Sequence, residues 1–488
     1  MYQLKQPFFI FGLLLAASLL ACTPAPAETP PPAPRIDVLA ELLANKRYSE
    51  ALDLLETAAA GRPTDPAPLI QTGQIYVRQH RWLLAEDAFN RALARDSASA
   101  LATAGLAEIR LSQGDWPQAQ SLWQKAIELN PDLPGGFTGL GRTHLFRLEF
   151  DAARAAFAQQ LEHTPDPEAE WYLAALDAPL DVAAASERLL AIPPDAPADV
   201  MARRDYLLAA LAPFTASSPR GEVAQAVGAA LVQAGLWPLA VNALQIARAE
   251  NAAAAPAKRA ETLAFLGHAL AQAGQPALDL FEQARQLNPD SALPLYFYGM
   301  YLRQQGAFKA AETLFQQAIK RDPNNAAIYA ELAQTKVQQG DFAAAEAQFE
   351  AAAGAANNDA TIQMLRVRFH GGRGYHVLEA GIPAAEAVIA GDEGNAEAHD
   401  WLGWMYFTTG QTDKAEEQLR KAIELDPERA SAHYRLGRLL EKKAPEEAAE
   451  HFRRAVDLDT DGFFRDESLK ALQRLDGDEL NMRPRNQE

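Results

Sequence analysis

Residues 396–429 read AEAHDWLGWMYFTTGQTDKAEEQLRKAIELDPER, and the placing of small, large and turn residues in this stretch recurs along the chain. Gly403, Ala415, Leu419 and Pro427 stand at the same offsets as Gly141, Ala153, Phe157 and Pro165, and as Gly299, Ala311, Phe315 and Pro323. Gly73, Ala85, Phe89 and Ala92 repeat the spacing nearer the N-terminus. Units start at residues 32, 66, 100, 134 and 168, each 34 apart, again at 292, 326 and 360, and near 221, 260, 396 and 430. A fixed period of this length signals a stacked supersecondary unit, in which no copy buries its apolar face alone.

The pattern resembles the tetratricopeptide repeat family, with Gly or Ala at position 8, Tyr or Leu at 11, Ala at 20, Phe or Leu at 24, Ala at 27 and Pro at 32. The resemblance implies an all-α solenoid of antiparallel helical hairpins, a superhelix of about eleven to twelve units with an irregular middle junction. Small residues at 8, 20 and 27 let backbones approach, and the large residue at 24 fills the space. Gly114, Gly235, Gly274, Gly306, Gly340 and Gly410 fall where a helix C-terminus needs positive φ. Pro131, Pro165, Pro289, Pro323 and Pro427 end their units.

Two stretches depart from the period. Between 168 and 220, Pro179, Pro193, Pro194, Pro197, Pro213 and Pro219 interrupt shorter helical pieces such as 200–211. The unit from 360 opens its inter-helix loop with Gly371, Gly372 and Gly374. The last helical stretch, 466–475, fits a polar-backed cap on the array, followed by a tail.

The chain of 488 residues carries a net charge of −19, which argues against nucleic acid as a partner. Its one cysteine, Cys22, excludes disulfides within the chain and thiolate zinc or iron–sulfur sites. Cys22 follows an uncharged run from Phe8, shorter than the roughly 20 residues of a membrane-spanning helix. Leu19, Leu20, Ala21 and Cys22 resemble the lipobox of bacterial lipoproteins. That resemblance implies cleavage before Cys22, a covalent lipid on it such as palmitate, and a place in the bacterial cell envelope, anchored in the outer membrane and facing the periplasm. Pro24, Pro26, Pro30, Pro31, Pro32 and Pro34 make the following segment a stiff tether. The expected order is a signal peptide (1–21), acylated Cys and tether (22–34), an N-terminal array (35–167), a degenerate helical junction (168–220), a C-terminal array (221–460), and a capping helix with tail (461–488).

Catalytic signatures are missing: no P-loop, no His-Glu-x-x-His and no Gly-x-Ser-x-Gly, so a non-enzyme is expected. The segment His370-Gly-Gly-Arg-Gly-Tyr-His376 has the look of a metal or phosphate loop, but no carboxylate or third ligand stands near it in sequence, and remodelled repeat turns also collect glycines. Asp457, Asp459, Asp461 and Gly462 match the first half of a calcium loop, whose alternating carboxylates converge on a hard cation. Glu467 falls one residue short of the closing ligand position, and Asp461 equally suits a helix cap. No cofactor is expected beyond the lipid on Cys22, with calcium as the one candidate ion.

In the family, positions 2, 5, 9, 12 and 13 of the first helix face the concave groove. Carried over, they give Trp404, Phe407, Tyr434, Arg438, Tyr296, Met300, Arg303, Arg142 and Phe146 as the peptide-binding surface. Trp, Tyr and Arg carry much of the energy at interfaces. The expected function is a protein- or peptide-binding scaffold, held at the membrane by its lipid, in envelope assembly, export or secretion. The alternative is a periplasmic glycan-binding module assisting polysaccharide export.

Overall fold

The computed structural model describes residues 36–357 and 359–482. The expected signal peptide, Cys22, the tether and the tail from 483 lie outside the described residues. Within them are twenty-six α-helices, one π-helical segment and no strand. The all-α stack of hairpins implied by the period is the observed fold.

The quoted stretch forms the helices Ala396–Thr408 and Thr412–Leu425, packed against each other. Their contact depends on Gly403, because a Cβ there would stand 2.7 Å from Leu419 Cγ. The same opposition recurs at Gly141 with Phe157, Gly299 with Phe315 and Gly437 with Phe452. The large residue sits in the notch left by the missing side chain, and Phe157, Phe315, Leu419 and Phe452 are fully buried. Between the helices Gly410 takes φ +81°, which supplies the reversal that ends the first helix.

Contacts divide the chain into two compact units. The first comprises Thr64–Gly73 and Ala85–Pro323. Its largest core runs from Leu145 to Phe297 without a break across the irregular stretch. That stretch folds as Pro167–Asp177, Val182–Ala191 and Ala198–Leu211. Trp171, Leu189 and Leu207 from these helices are among the most buried side chains. Of the prolines that spoil the 34-residue register here, Pro197 and Pro219 immediately precede helices, and Pro167, just ahead of the stretch, begins another. Asp166 and Asp181 cap their helices by accepting from two backbone N–H groups each.

The second unit comprises the described part of Thr29–Pro63 with Gln74–Leu84 and Asn324–Glu488. The first hairpin, Ile36–Ala44 and Tyr48–Gly61, thus belongs with the last repeats, and Tyr48–Gly61 packs on Pro445–Leu458. The closing helix, expected over 466–475, runs from Phe463 to Met482.

Candidate functional site

In the second unit, helix Ala396–Thr408 carries Trp401 and Trp404 three residues apart, so both rings lie on one face. The next first helix, Ala430–Leu440, brings Arg435 over them, its guanidinium 4.1 Å from the Trp401 centroid and 5.4 Å from that of Trp404. Arg435 Nη1 lies 2.9 Å from Asp400 Oδ1, and both side chains are nearly inaccessible. Ser431 Oγ donates to the other oxygen of Asp400 at 2.6 Å. Trp401 Nε1 donates to Glu397 Oε1, and Arg368 grips the same carboxylate at 2.6 and 2.7 Å. Burial alone would raise the Glu397 carboxyl, but the hydrogen bonds and charge of Arg368 prevail and hold it below its ordinary value. The charges of this platform are therefore engaged with one another, and Trp401 and Trp404 remain half-buried at the surface.

Of the expected groove residues in this unit, Trp404 and Phe407 stand together, ring centroids 5.5 Å apart and both half-buried. Tyr434 is a correction. It is buried against Phe452 and Phe464, so it packs the core between elements where a groove anchor was expected. Its hydroxyl accepts from Arg438 Nη1 at 2.9 Å, and Arg438 Nε lies 3.4 Å from Glu441 Oε2.

In the first unit, Tyr296 and Met300 lean on the main core, and with Arg303 and Phe146 they are half-buried. Arg142 donates to both oxygens of Glu108 at 3.1 and 3.3 Å. Burial disfavours its charge, yet Glu108, Tyr172 and Glu168 more than compensate and raise its affinity for the proton. Arg203 stacks on Trp171 and reaches Glu168 at 3.9 Å. Burial pushes the Glu168 carboxyl up to about 7, against the pull of Arg142 and Arg203. Glu108 and Arg142 occupy position 9 of successive units, so opposite charges 34 apart are the sequence signal for this pair. No such signal marked Trp401, Asp400 or Arg435, which become neighbours only when two units stack.

The calcium candidate is occupied by the protein itself. Asp457 Oδ1 accepts from Ser49 N at 2.9 Å and Ser49 Oγ at 2.5 Å. The oxygens of Asp459 accept from Asp461 N and Arg465 N at 3.1 and 2.9 Å, which closes the turn and caps the last helix. Among the described residues no group of three or more His, Cys, Asp or Glu could hold a metal ion.

Family models described as tetratricopeptide repeat match residues 302–368 in one case and 70–134, 266–326 and 402–463 in another. No curated protein matches the chain. Among solved structures, yeast Tom70 is 14% identical, with a TM-score of 0.40, over 86% of this chain and 97% of that one. YrrB, described as a TPR protein with an unusual peptide-binding site, is 22% identical, with a TM-score of 0.31, over 39% and 97%. A tetratricopeptide repeat protein of Parabacteroides merdae is 16% identical, with a TM-score of 0.39, over 52% and 98%.

Proposed function

We propose that this chain, which is a tetratricopeptide repeat protein, acts as a lipid-anchored scaffold that holds partner proteins or peptides in cell-envelope assembly, export or secretion. Repeats of this kind make a protein-interaction scaffold; the envelope setting rests on the lipobox around Cys22. The observation that carries the binding role is the platform of Trp401, Trp404 and Arg435, bordered by Phe407. Its cation and carboxylates are matched within the protein, so docking does not strand an unpaired charge. A preformed aromatic face with a fixed guanidinium costs little side-chain entropy on binding. It suits a peptide that lays an apolar side chain across Trp404 and Phe407.

The test is affinity purification of the detergent-solubilised full chain, in parallel with a Trp404→Ala, Phe407→Ala variant. A protein partner enriched by the native chain and depleted at least about tenfold by the variant is the expected result. Retention on a polysaccharide column with no enriched protein would overturn it in favour of glycan binding. Membrane fractionation of Cys22→Ala checks the anchor separately: the variant is expected in the soluble fraction with its repeats folded.

A further inference from the structure

The first unit carries two cavities in the same repeat register, at the seam where the second helix of a hairpin meets the next hairpin. Residues of Trp237–Glu250, Pro256–Gln272 and Leu278–Leu287 line one, and residues of Leu278–Leu287, Ala292–Gln304 and Phe308–Arg321 line the other. Each has a volume of about 360 Å³, and they adjoin, because Gln286 belongs to both. The packing notches fix the register. Leu244 fills the notch at Gly228, Phe281 that at Gly267 and Phe315 that at Gly299. Arg248 and Arg285 each follow their notch filler by four residues, Gln283 and Gln317 by two, and Gln286 and Lys320 by five. Leu263 and Leu295 each precede a notch glycine by four. Equivalent positions therefore line both cavities, and a chain-like ligand seated in one meets similar contacts a repeat further along.

The lining is basic in a chain whose net charge is −19. Arg248 and Arg259 line the first cavity and Arg285, Lys320 and Arg321 the second, and among the described residues no carboxylate lines either. All five side chains are exposed. Arg321 pairs with the exposed Asp290 at 3.3 Å, whereas Arg248, Arg259, Arg285 and Lys320 make no ion pair among the described residues. All but Arg259 sit in the last turn of their helices, where the macrodipole favours a cation, so the fold keeps them without a partner carboxylate. A cleft lined by one sign of charge concentrates the opposite sign. The neutral lining tells what carries that charge. Gln283, Gln286 and Gln317 each present a donor and an acceptor, matching the two groups of a peptide backbone. Among the described residues no aromatic ring lines either cavity, which leaves a sugar ring or a base nothing to stack on.

We propose that this seam docks an extended acidic segment of a partner protein, rich in Asp or Glu. Its carboxylates meet Arg248 and Arg259 in one cavity and Arg285 and Lys320 in the next, while the glutamines hydrogen-bond its backbone. In an extended chain alternate side chains point the same way, so carboxylates at every second residue face the seam about 7 Å apart. One exposed ion pair contributes little, but contacts joined along a single chain reinforce one another. The seam shares no residue with the platform of Trp401, Trp404 and Arg435, and its role does not depend on that site.

The test follows the fluorescence anisotropy of a labelled peptide of about twelve residues alternating Asp and Ser, some 40 Å when extended, mixed with the detergent-solubilised full chain. Saturable binding that weakens as salt rises is expected, with affinity at least about tenfold lower when Asn replaces Asp in the peptide. Arg248→Glu combined with Arg285→Glu, both at exposed side chains, is expected to weaken binding by about tenfold or more at an unchanged melting temperature. Arg248→Lys with Arg285→Lys keeps the charge and is expected to retain most of the affinity, and Trp404→Ala with Phe407→Ala to retain all of it. No saturable binding, equal affinity for the Asp and Asn peptides, or affinity undiminished by charge reversal would each overturn the proposal. So would loss of binding in the Trp404→Ala, Phe407→Ala variant, which would put the peptide in the other unit. A heparin oligosaccharide bound more tightly than the peptide would also overturn it, by assigning the seam to an acidic glycan.

Discussion

Glycines 410 and 354 show how one substitution acquires opposite signs. Gly410 ends a helix at φ +81°, and a Cβ there would touch nothing within 4 Å. Gly410→Ala therefore costs only its backbone conformation, about 1 kcal/mol. Gly354 lies inside helix Phe342–Ala355, also with open space around it, and has no positive φ. Gly354→Ala gains helix propensity and is expected to stabilise by about 0.5–1 kcal/mol. Urea unfolding of the two variants checks the pair, and equal signs would refute the distinction. Gly410 and the other helix-ending glycines were legible in sequence because only glycine takes that conformation cheaply. Lys46, His80 and Leu148 adopt it too, at φ +52°, +53° and +60°. They escaped notice because a residue-type pattern records identity and not dihedral angle.

Between elements, the period foretold which helices pair but not the polar links across them. His433, on helix Ala430–Leu440, meets His451 on Pro445–Leu458, with their Nδ1 atoms 3.0 Å apart. His433 Nε2 lies 3.0 Å from the carbonyl oxygen of Pro427 and donates to it, so its Nδ1 accepts and His451 Nδ1 donates. Protonating His433 at Nδ1 breaks the pairing, whereas a proton on His451 goes to its Nε2 and leaves the Nδ1 donor in place. Burial drives His433 down to about 4, with His451 and Arg454 lowering it further against the pull of the Pro427 carbonyl. His268, buried in the first unit, is likewise driven down to about 4. The unfolded chain takes up these protons first as pH falls below the ordinary 6.5, so each histidine removes stability at up to about 1.4 kcal/mol per pH unit between 6.5 and 4. Urea unfolding at pH 7 and pH 5 should show the native chain losing stability, and His433→Gln losing distinctly less. Identical losses would discard His433 as a source of the slope. The stretch 168–220 teaches the complementary lesson. Its prolines read as interruptions of a period, yet Pro197 and Pro219 immediately precede helices whose side chains help fill the largest core.

At the scale of the molecule, the second unit joins residues that no local motif connects. Ser49 and Asp457 are 408 positions apart, and Ser49 offers both its backbone N–H and its hydroxyl to one oxygen of Asp457. Arg454 Nη1 donates to the carbonyls of Asn45 and Lys46 at 3.0 and 2.9 Å, and Lys46 reaches Glu428 at 2.6 Å. Read locally, Asp457 was a calcium ligand; in the fold its oxygen is spent on holding the first hairpin to the helix Pro445–Leu458. The exposed Lys46–Glu428 pair contributes little, because solvent screens it. Asp457 is buried, so removing its carboxylate leaves Ser49 N–H without a partner, at a cost of about 1–3 kcal/mol. Asp457→Ala is therefore expected to speed amide exchange at least about tenfold through Tyr48–Gly61, as that cost implies, with exchange in Phe308–Arg321 of the other unit unchanged. Asp457→Asn, which keeps an acceptor oxygen, is expected to restore most of the protection. Exchange in Tyr48–Gly61 that ignores Asp457→Ala would mean that apolar packing, through Leu55 and its neighbours, holds the hairpin without this clasp.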